Sequence, residues 1–444
     1  MVMLNPQVIN ILWNIFWAAV ALGVLIFLHE AGHFLVARRT GVGVETFSFG
    51  FGPRLFGKRI GETDYRVSLI PLGGYVKLLG EEPDEELRGS PREFGSRTRW
   101  ERAKIYLAGP GTNLLLAYVL IVVVYTLGVE EPAYLQEPPV VGYLHEYSPA
   151  LEAGLQEGDL VLSLDGEAVA DWDALKKKIL LNPGRAFPIV WEREGARYEE
   201  TIHIDETDRY RIGEVGLEPA LPFRVLETQE GYAAQDAGLQ PGDLLSAVDG
   251  TPVFHYERGK ELISAHAPGE PVALTIERQG KRFEVDVALS EREGKGYLGV
   301  VLENPPTTLR RYAFPAALAA GGRWMGETTV FFFEAVRKLV TGRLSLRTMS
   351  GPVDIAKFSG AAARASSAHY IYFLAFLSLN LGIINLLPIP LLDGGHLFFL
   401  LIEGLRRRDL SLALKERLTQ VGFVFLISLM GVIVILDILK NLDF

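Results

Sequence analysis

Four stretches of this chain, residues 9–37, 105–129, 370–391 and 421–439, are apolar over lengths that cross a bilayer, and nothing else constrains the fold so tightly. Inside hydrocarbon every backbone N–H and C=O must find a partner within the protein, so each stretch is expected to be a helix. Hydrophobic residues make up 49% of the 444, high for a soluble protein, and they are concentrated in these stretches. Residues 130–306, between the second and third stretches, are mixed and charged, with the texture of a folded soluble region. The expectation is an α-helical polytopic membrane protein with four transmembrane helices and a soluble insert. The first stretch has no basic leader segment and is too long for a cleaved signal, so it is expected to remain in the mature chain.

Near the end of that first stretch stand His29-Glu30-Ala31-Gly32-His33. Histidines four residues apart on a helix share a face and can bind one Zn²⁺, and Glu30 lies beside them. This is a metalloprotease geometry, in which the metal acidifies a water and the carboxylate takes its proton. Three ionisable residues within five positions of a span are costly and need such a reason. A catalytic zinc wants a third protein ligand. The best candidate is Asp393, in Asn385-Leu386-Leu387-Pro388-Ile389-Pro390-Leu391-Leu392-Asp393-Gly394-Gly395-His396, where two prolines and a glycine pair disrupt regular helix at membrane depth. His396 reads as a turn residue or a neighbour of the ligands, with a fourth-ligand role as the alternative. In Ala108-Gly109-Pro110-Gly111-Thr112-Asn113, small residues allow close packing and Asn113 can hydrogen-bond near the metal.

Lys and Arg near the span ends set the orientation. Arg38, Arg39, Arg54, Lys58, Arg59 and Arg66 follow the first span, Arg97, Arg99, Arg102 and Lys104 precede the second, and Arg406, Arg407 and Arg408 follow the third; Glu130, Glu131 and Glu137 follow the second. Both termini and the insert are therefore expected outside, with the loops after spans one and three in the cytoplasm. His29 then lies about 14 Å, and Asp393 at most about 20 Å, from its basic flank, so the two halves of the site can meet at one depth. A net charge of −10 without a basic cluster interleaved with aromatics argues against a nucleic-acid partner, and the absence of cysteine excludes disulfides and thiolate ligands.

In the insert, Ala153-Gly154-Leu155, Gly158-Asp159 and Asp165-Gly166 recur 84 residues later as Ala237-Gly238-Leu239, Gly242-Asp243 and Asp249-Gly250. Two copies of one small domain are expected, at 130–218 and 219–306, each with a Gly-Asp turn, an alternating strand and an Asp-Gly turn. They resemble PDZ domains of the circularly permuted bacterial type. That resemblance puts peptide-binding loops near Ile212-Gly213 and Leu298-Gly299 and leaves two readings open, peptide capture by strand addition or a steric filter. Histidines 145, 203, 255 and 266 read as ordinary surface or structural residues.

The remaining segments are expected as follows. Residues 1–40 form the first span, and 41–104 a cytoplasm-side β-hairpin region and loop, with strands near 44–51 and 64–79 close to His33. Residues 307–368 are amphipathic helices on the outer membrane face, interrupted by Arg323, Glu327, Glu334 and Arg337. A third span with its LDGG motif covers 369–397, a cytoplasmic loop 398–420, and the fourth span 421–440.

With HEAGH in the first span, LPIPLLDGG in the third, PLGGYVK between them, paired repeats and Ser350-Gly351-Pro352, the chain resembles the site-2 protease family, in particular its sigma-E-regulating bacterial branch. The resemblance implies a zinc-dependent intramembrane endopeptidase of the bacterial inner membrane. It would cut membrane-spanning segments of anti-sigma factors after a first cleavage outside and, in some members, clear remnant signal peptides. By matching position His29, His33 and Asp393 are the metal ligands and Glu30 the catalytic base. Asn385 would help hold an extended substrate, and the hairpin from Val67 to Tyr75, with Leu69, Gly73 and Gly74, would pair with it. Two competing readings are a membrane scaffold with a structural zinc whose PDZ pair recruits partners, and a zinc transporter; against the transporter, polar residues do not line several spans of this chain as a conduction path would need.

Overall fold

The computed structural model describes residues 5–81, 89–207 and 210–442; residues 1–4 of the expected first segment and 82–88 of the expected 41–104 region lie outside that set. It divides into two compact units. One comprises Met1–Val129, Arg310–Arg337 and Met349–Phe444, the other Glu130–Leu309 and Lys338–Thr348.

In the first unit, four helices among the described residues are long and apolar enough to cross a membrane: Pro6–Arg39, Arg99–Leu127, Ser367–Leu386 and Leu412–Leu442. Local chemistry sets their ends. Asn5 caps the first through Gln7 N–H, with Pro6 in the opening turn where no donor is needed. The second starts at Arg99, ahead of the expected 105, because Thr98 and Glu101 cap each other's backbone reciprocally. Charged turns carry no hydropathy signal yet keep helical hydrogen bonds. For the same reason the fourth begins at Leu412 rather than 421, through Lys415, Glu416 and Arg417.

Two expectations need correction here. The single segment 369–397 is two helices: Ser367–Leu386 stops ahead of Pro388 and Pro390, Leu391 takes a φ of 92°, and helix resumes as Asp393–Arg406. The expected loop 398–420 shrinks to the short connection between Arg406 and Leu412. Fully buried Glu403 holds that connection, accepting from Leu410 N–H at 3.0 Å and pairing with Lys415 at 2.6 Å. In 307–368 the helices are Phe314–Val340 and Pro352–Ala365, and the latter has a packed face and an exposed one that carries Phe358, 45% exposed. It packs against the first, third and fourth spans. Gly360 leaves room for Asn14, which an added Cβ would overlap, and buried Asp354 pairs with Lys440 at 2.7 Å.

The strands Val44–Ile60 and Thr63–Leu78 each fold back on themselves. Residues 46–49 pair with 74–77 on one side and with 64–67 on the other, and 56–60 pair with 63–67 beyond. The result is a small mixed sheet, in which 46–49 and 64–67 run in the same direction, with residues 74–77 on one edge.

In the second unit, two α+β modules have separate cores, one gathered around Trp172, Phe187 and Trp191, the other around Phe223, Leu245 and Leu274. The repeat is visible in three dimensions. Asp165 and Asp249, with φ of 57° and 46°, each precede a positive-φ glycine in a tight turn. Asp159 receives Arg193 at 2.7 Å, as Asp243 receives Arg278 at 2.6 Å, and each arginine also reaches a carbonyl of the preceding turn, Gly154 or Gly238. Burial pushes the Asp243 carboxyl up, but Arg278 and the Gln240 N–H outweigh it and hold it below the usual range. This pair therefore stabilises the module above the ordinary Asp pKa of about 3.9, and the contribution fades as pH falls through the lowered value. Replacing Arg278 by Ala strands a buried carboxylate and is expected to cost about 3 kcal/mol. Amide exchange across Leu244–Val248 should accelerate accordingly; unchanged exchange would count against the pair.

Candidate metal centre

His29 and His33 are one turn apart on the first span, 7% and 9% exposed, with their Nε2 atoms 3.2 Å from each other. Asp393 reaches them as the first residue of the resumed helix, its Oδ2 3.2 Å from His29 Nε2 and 3.4 Å from His33 Nε2. The tight return before it depends on the glycine pair. An added Cβ at Gly394 would overlap the Leu386 and Leu387 carbonyls, and one at Gly395 the Ile389 carbonyl.

These separations can be tested against a metal. In a tetrahedron, ligand atoms lie about 1.63 bond lengths apart, so zinc bonds of about 2.0–2.1 Å require about 3.3–3.4 Å between ligands. The separations of 3.2, 3.2 and 3.4 Å come within about 0.1 Å of that condition, and two imidazoles with a carboxylate are a donor set zinc takes. Glu30 is not one of the three. Its carboxylate accepts the Val76 N–H, and its Cγ would be 3.5 Å from a Cβ added at Gly74. Among the described residues three groups thus converge as possible ligands, with Glu30, an acid–base group, beside His29 on the same helix.

The second span forms the back of the site. A Cβ at Gly109 would overlap His33 Nε2 and stand 2.6 Å from His29 Nε2, so only glycine lets this backbone come so close. His33 Nδ1 donates to the Ile105 carbonyl at 2.7 Å, and His29 Nδ1 faces Asn113 Nδ2 at 3.1 Å. Packing of the two spans depends on Gly32, where an added Cβ would overlap Thr112 Oγ1 and lie 2.5 Å from the Ala108 carbonyl.

A cavity of about 310 Å³ opens on the three polar groups and is also lined by Glu30, Val76, Tyr106 and Asn385. Gly74 and Tyr75 lie on the outer strand of the sheet, next to Gly73, and the Val76 N–H on that edge points at Glu30. Val67 is elsewhere: its strand is paired with Phe49 on one side and Phe56 on the other, so its backbone offers no free edge. Leu69 is an exposed apolar side chain, at 55%. His396 stacks on Tyr106, rings 4.8 Å apart and 7° from parallel, outside the three-atom cluster.

The other named loops belong to the second unit. Gly213 lies against the Ile179 carbonyl, while the Leu298 and Gly299 carbonyls accept from Ala234 and Gln229 N–H at 2.8 Å. Sequence reasoning missed Tyr106, the Ile105 carbonyl and the contact at Gly109. The Ala-Gly-Pro run signalled close packing but not what it packed against.

Comparison with known proteins gives a consistent picture. Residues 17–429 match the model of Peptidase family M50. The regulator of sigma-E protease RseP of Salmonella typhimurium is 36% identical over 451 residues, covering 95% of this chain and 98% of that protein. Its namesake from Escherichia coli K12 is 35% identical over 448 residues, with 95% and 98% covered. A Vibrio cholerae protein named as a candidate zinc metalloprotease is 34% identical over 453 residues, with 96% and 99% covered.

Proposed function

The chain belongs to peptidase family M50, the site-2 metalloproteases, and from that premise we propose that it is a zinc-dependent endopeptidase that cuts membrane-spanning segments within the bilayer. In this reading His29, His33 and Asp393 hold the metal, and Glu30 is the general base. The observation that carries it is the triangle of 3.2, 3.2 and 3.4 Å among the three ligand atoms, with both histidines on an apolar span. Bound there, zinc supplies a water acidified to a pKa of about 7 and a Lewis acid for the scissile carbonyl. Glu30 takes the proton of the attacking water and passes it to the leaving amine. The Val76 N–H fixes the carboxylate for that transfer.

A substrate helix hides its peptide groups in internal hydrogen bonds and must be extended before attack. Residues 74–77 suit that task, since an extended chain added along this edge runs past Glu30. Asn385, on the wall of the same cavity as Asp393, would hold the extended segment. Their place on or next to that edge makes Gly73, Gly74 and Tyr75 the substrate contacts, in preference to Val67.

The substrates we propose are single-span proteins such as anti-sigma factors, and remnant signal peptides, in the bacterial cytoplasmic membrane. Charge asymmetry supports an orientation with both termini and the insert outside and the active site toward the cytoplasm. The paired modules are read as tandem PDZ domains that bind peptides or filter substrates by size. Replacing Asp393 by Asn weakens one of three ligands and should lower the zinc content of the purified chain, with cleavage of a co-expressed single-span substrate falling in step. Undiminished zinc would remove Asp393 from the site.

A further inference from the structure

Resting on the metal-site reading above, a further role falls to Asn113: we propose that its side-chain carbonyl accepts the Nδ1–H of His29 and so selects the tautomer whose Nε2 lone pair faces the metal. The two histidines differ in what lies behind them. His33 Nδ1 is 2.7 Å from the Ile105 carbonyl, which can only accept, so His33 carries its proton on Nδ1 and leaves Nε2 bare. His29 Nδ1 instead faces the amide nitrogen of Asn113 at 3.1 Å. A donor there pushes the His29 proton onto Nε2, the atom 3.2 Å from both His33 Nε2 and Asp393 Oδ2. An imidazole protonated at Nε2 has no lone pair to give a metal.

The same amide shows what resolves this. Asn113 is 0% exposed, and among the described residues its buried Oδ1 has no hydrogen-bond partner. Half a turn about the Cβ–Cγ bond exchanges oxygen and nitrogen without changing the shape of the side chain. Oδ1 then receives the donor it lacks, and His29 adopts the same tautomer as His33. The residue is anchored for this task, since its backbone carbonyl accepts Ser378 Oγ at 2.8 Å from the third span. Asn113 is thus a positioning residue that acts through His29, the side-chain counterpart of the Ile105 carbonyl behind His33.

The test uses the full-length chain in detergent, with zinc affinity measured by chelator competition and the site also probed by the visible absorption of bound cobalt. Asn113→Leu keeps the size and removes the acceptor; Asn113→Asp keeps an acceptor and removes the donor. The expected result is a loss of zinc affinity of about 10–100-fold for Asn113→Leu with a shifted cobalt spectrum, and near-wild-type affinity and spectrum for Asn113→Asp. Wild-type affinity in Asn113→Leu, or equal losses in both variants, would overturn the assignment. If Asn113→Leu does not fold, Asn113→Asp decides alone, and a loss of about tenfold or more would overturn it. Zinc bound tightly by a wild-type chain that cleaves nothing would instead sink the peptidase reading, so the two failures are read in separate assays.

Discussion

Replacing Glu30 by Gln is expected to leave zinc in place and to lower cleavage of a membrane-embedded substrate by about 10³-fold or more. The substitution is nearly isosteric. An amide oxygen can still accept the Val76 N–H that orients the native carboxylate, and none of the three ligand atoms is touched. What disappears is the group able to take a proton from the attacking water and return it to the leaving amine, a contribution of about 10²–10⁴ in rate. Binding along residues 74–77 does not use that charge, so the variant should hold uncut substrate. Metal analysis beside cleavage of a co-expressed single-span protein separates the effects. Cleavage within about tenfold of wild type would refute Glu30 as the base.

The second large effect comes from a residue with no side chain. Gly109→Ala adds one methyl group where it would overlap His33 Nε2 and stand 2.6 Å from His29 Nε2. On propensity alone the change favours the second span, since alanine exceeds glycine in a helix interior by about 1 kcal/mol. Sterically it forces the second span away from the first or the imidazoles out of their triangle. Zinc affinity should fall by at least about 100-fold, beyond the usual result of removing a hydrogen-bonding neighbour. Gly111→Ala is the control two residues on, because an added Cβ there meets nothing within 4 Å among the described residues. It should bind zinc as wild type does. Equal zinc in both variants would mean the contact at Gly109 does not govern the site.

Glu30 and Gly109 differ in how far the sequence alone reveals their surroundings. Glu30 was legible because its partners are its sequence neighbours: a helix puts positions four apart on one face. Asp393 was legible for a related reason, a carboxylate beside two prolines and two glycines inside apolar sequence. The paired modules announced themselves by repetition, with Asp159 and Asp243 at the same place in each. Gly109 carried no such mark. Glycine before proline in a span predicts close packing, yet which atoms pack there depends on how two helices cross.

The sheet divides in the same way. Alternation and glycine punctuation indicated strands, and the expected substrate contacts ran from Val67 to Tyr75. The register then put Val67 inside, paired on both sides, and left residues 74–77 on the edge against Glu30. Edge and interior differ only in whether another strand lies alongside, which no local pattern encodes.

The sequence by itself determined the four spans, the helical face shared by His29 and His33, the helix break that delivers Asp393, and the twofold repeat, all of them consequences of covalent spacing and solvent preference along a short stretch of chain. Only the tertiary structure decided the 3.2–3.4 Å closure of the His29, His33 and Asp393 atoms, the glycine-thin wall behind them, the groups that face each imidazole's Nδ1, and the strand edge facing Glu30. Those are distances between elements remote in sequence, set by how side chains of particular volume let the helices approach, and packing is decided by all the contacts at once.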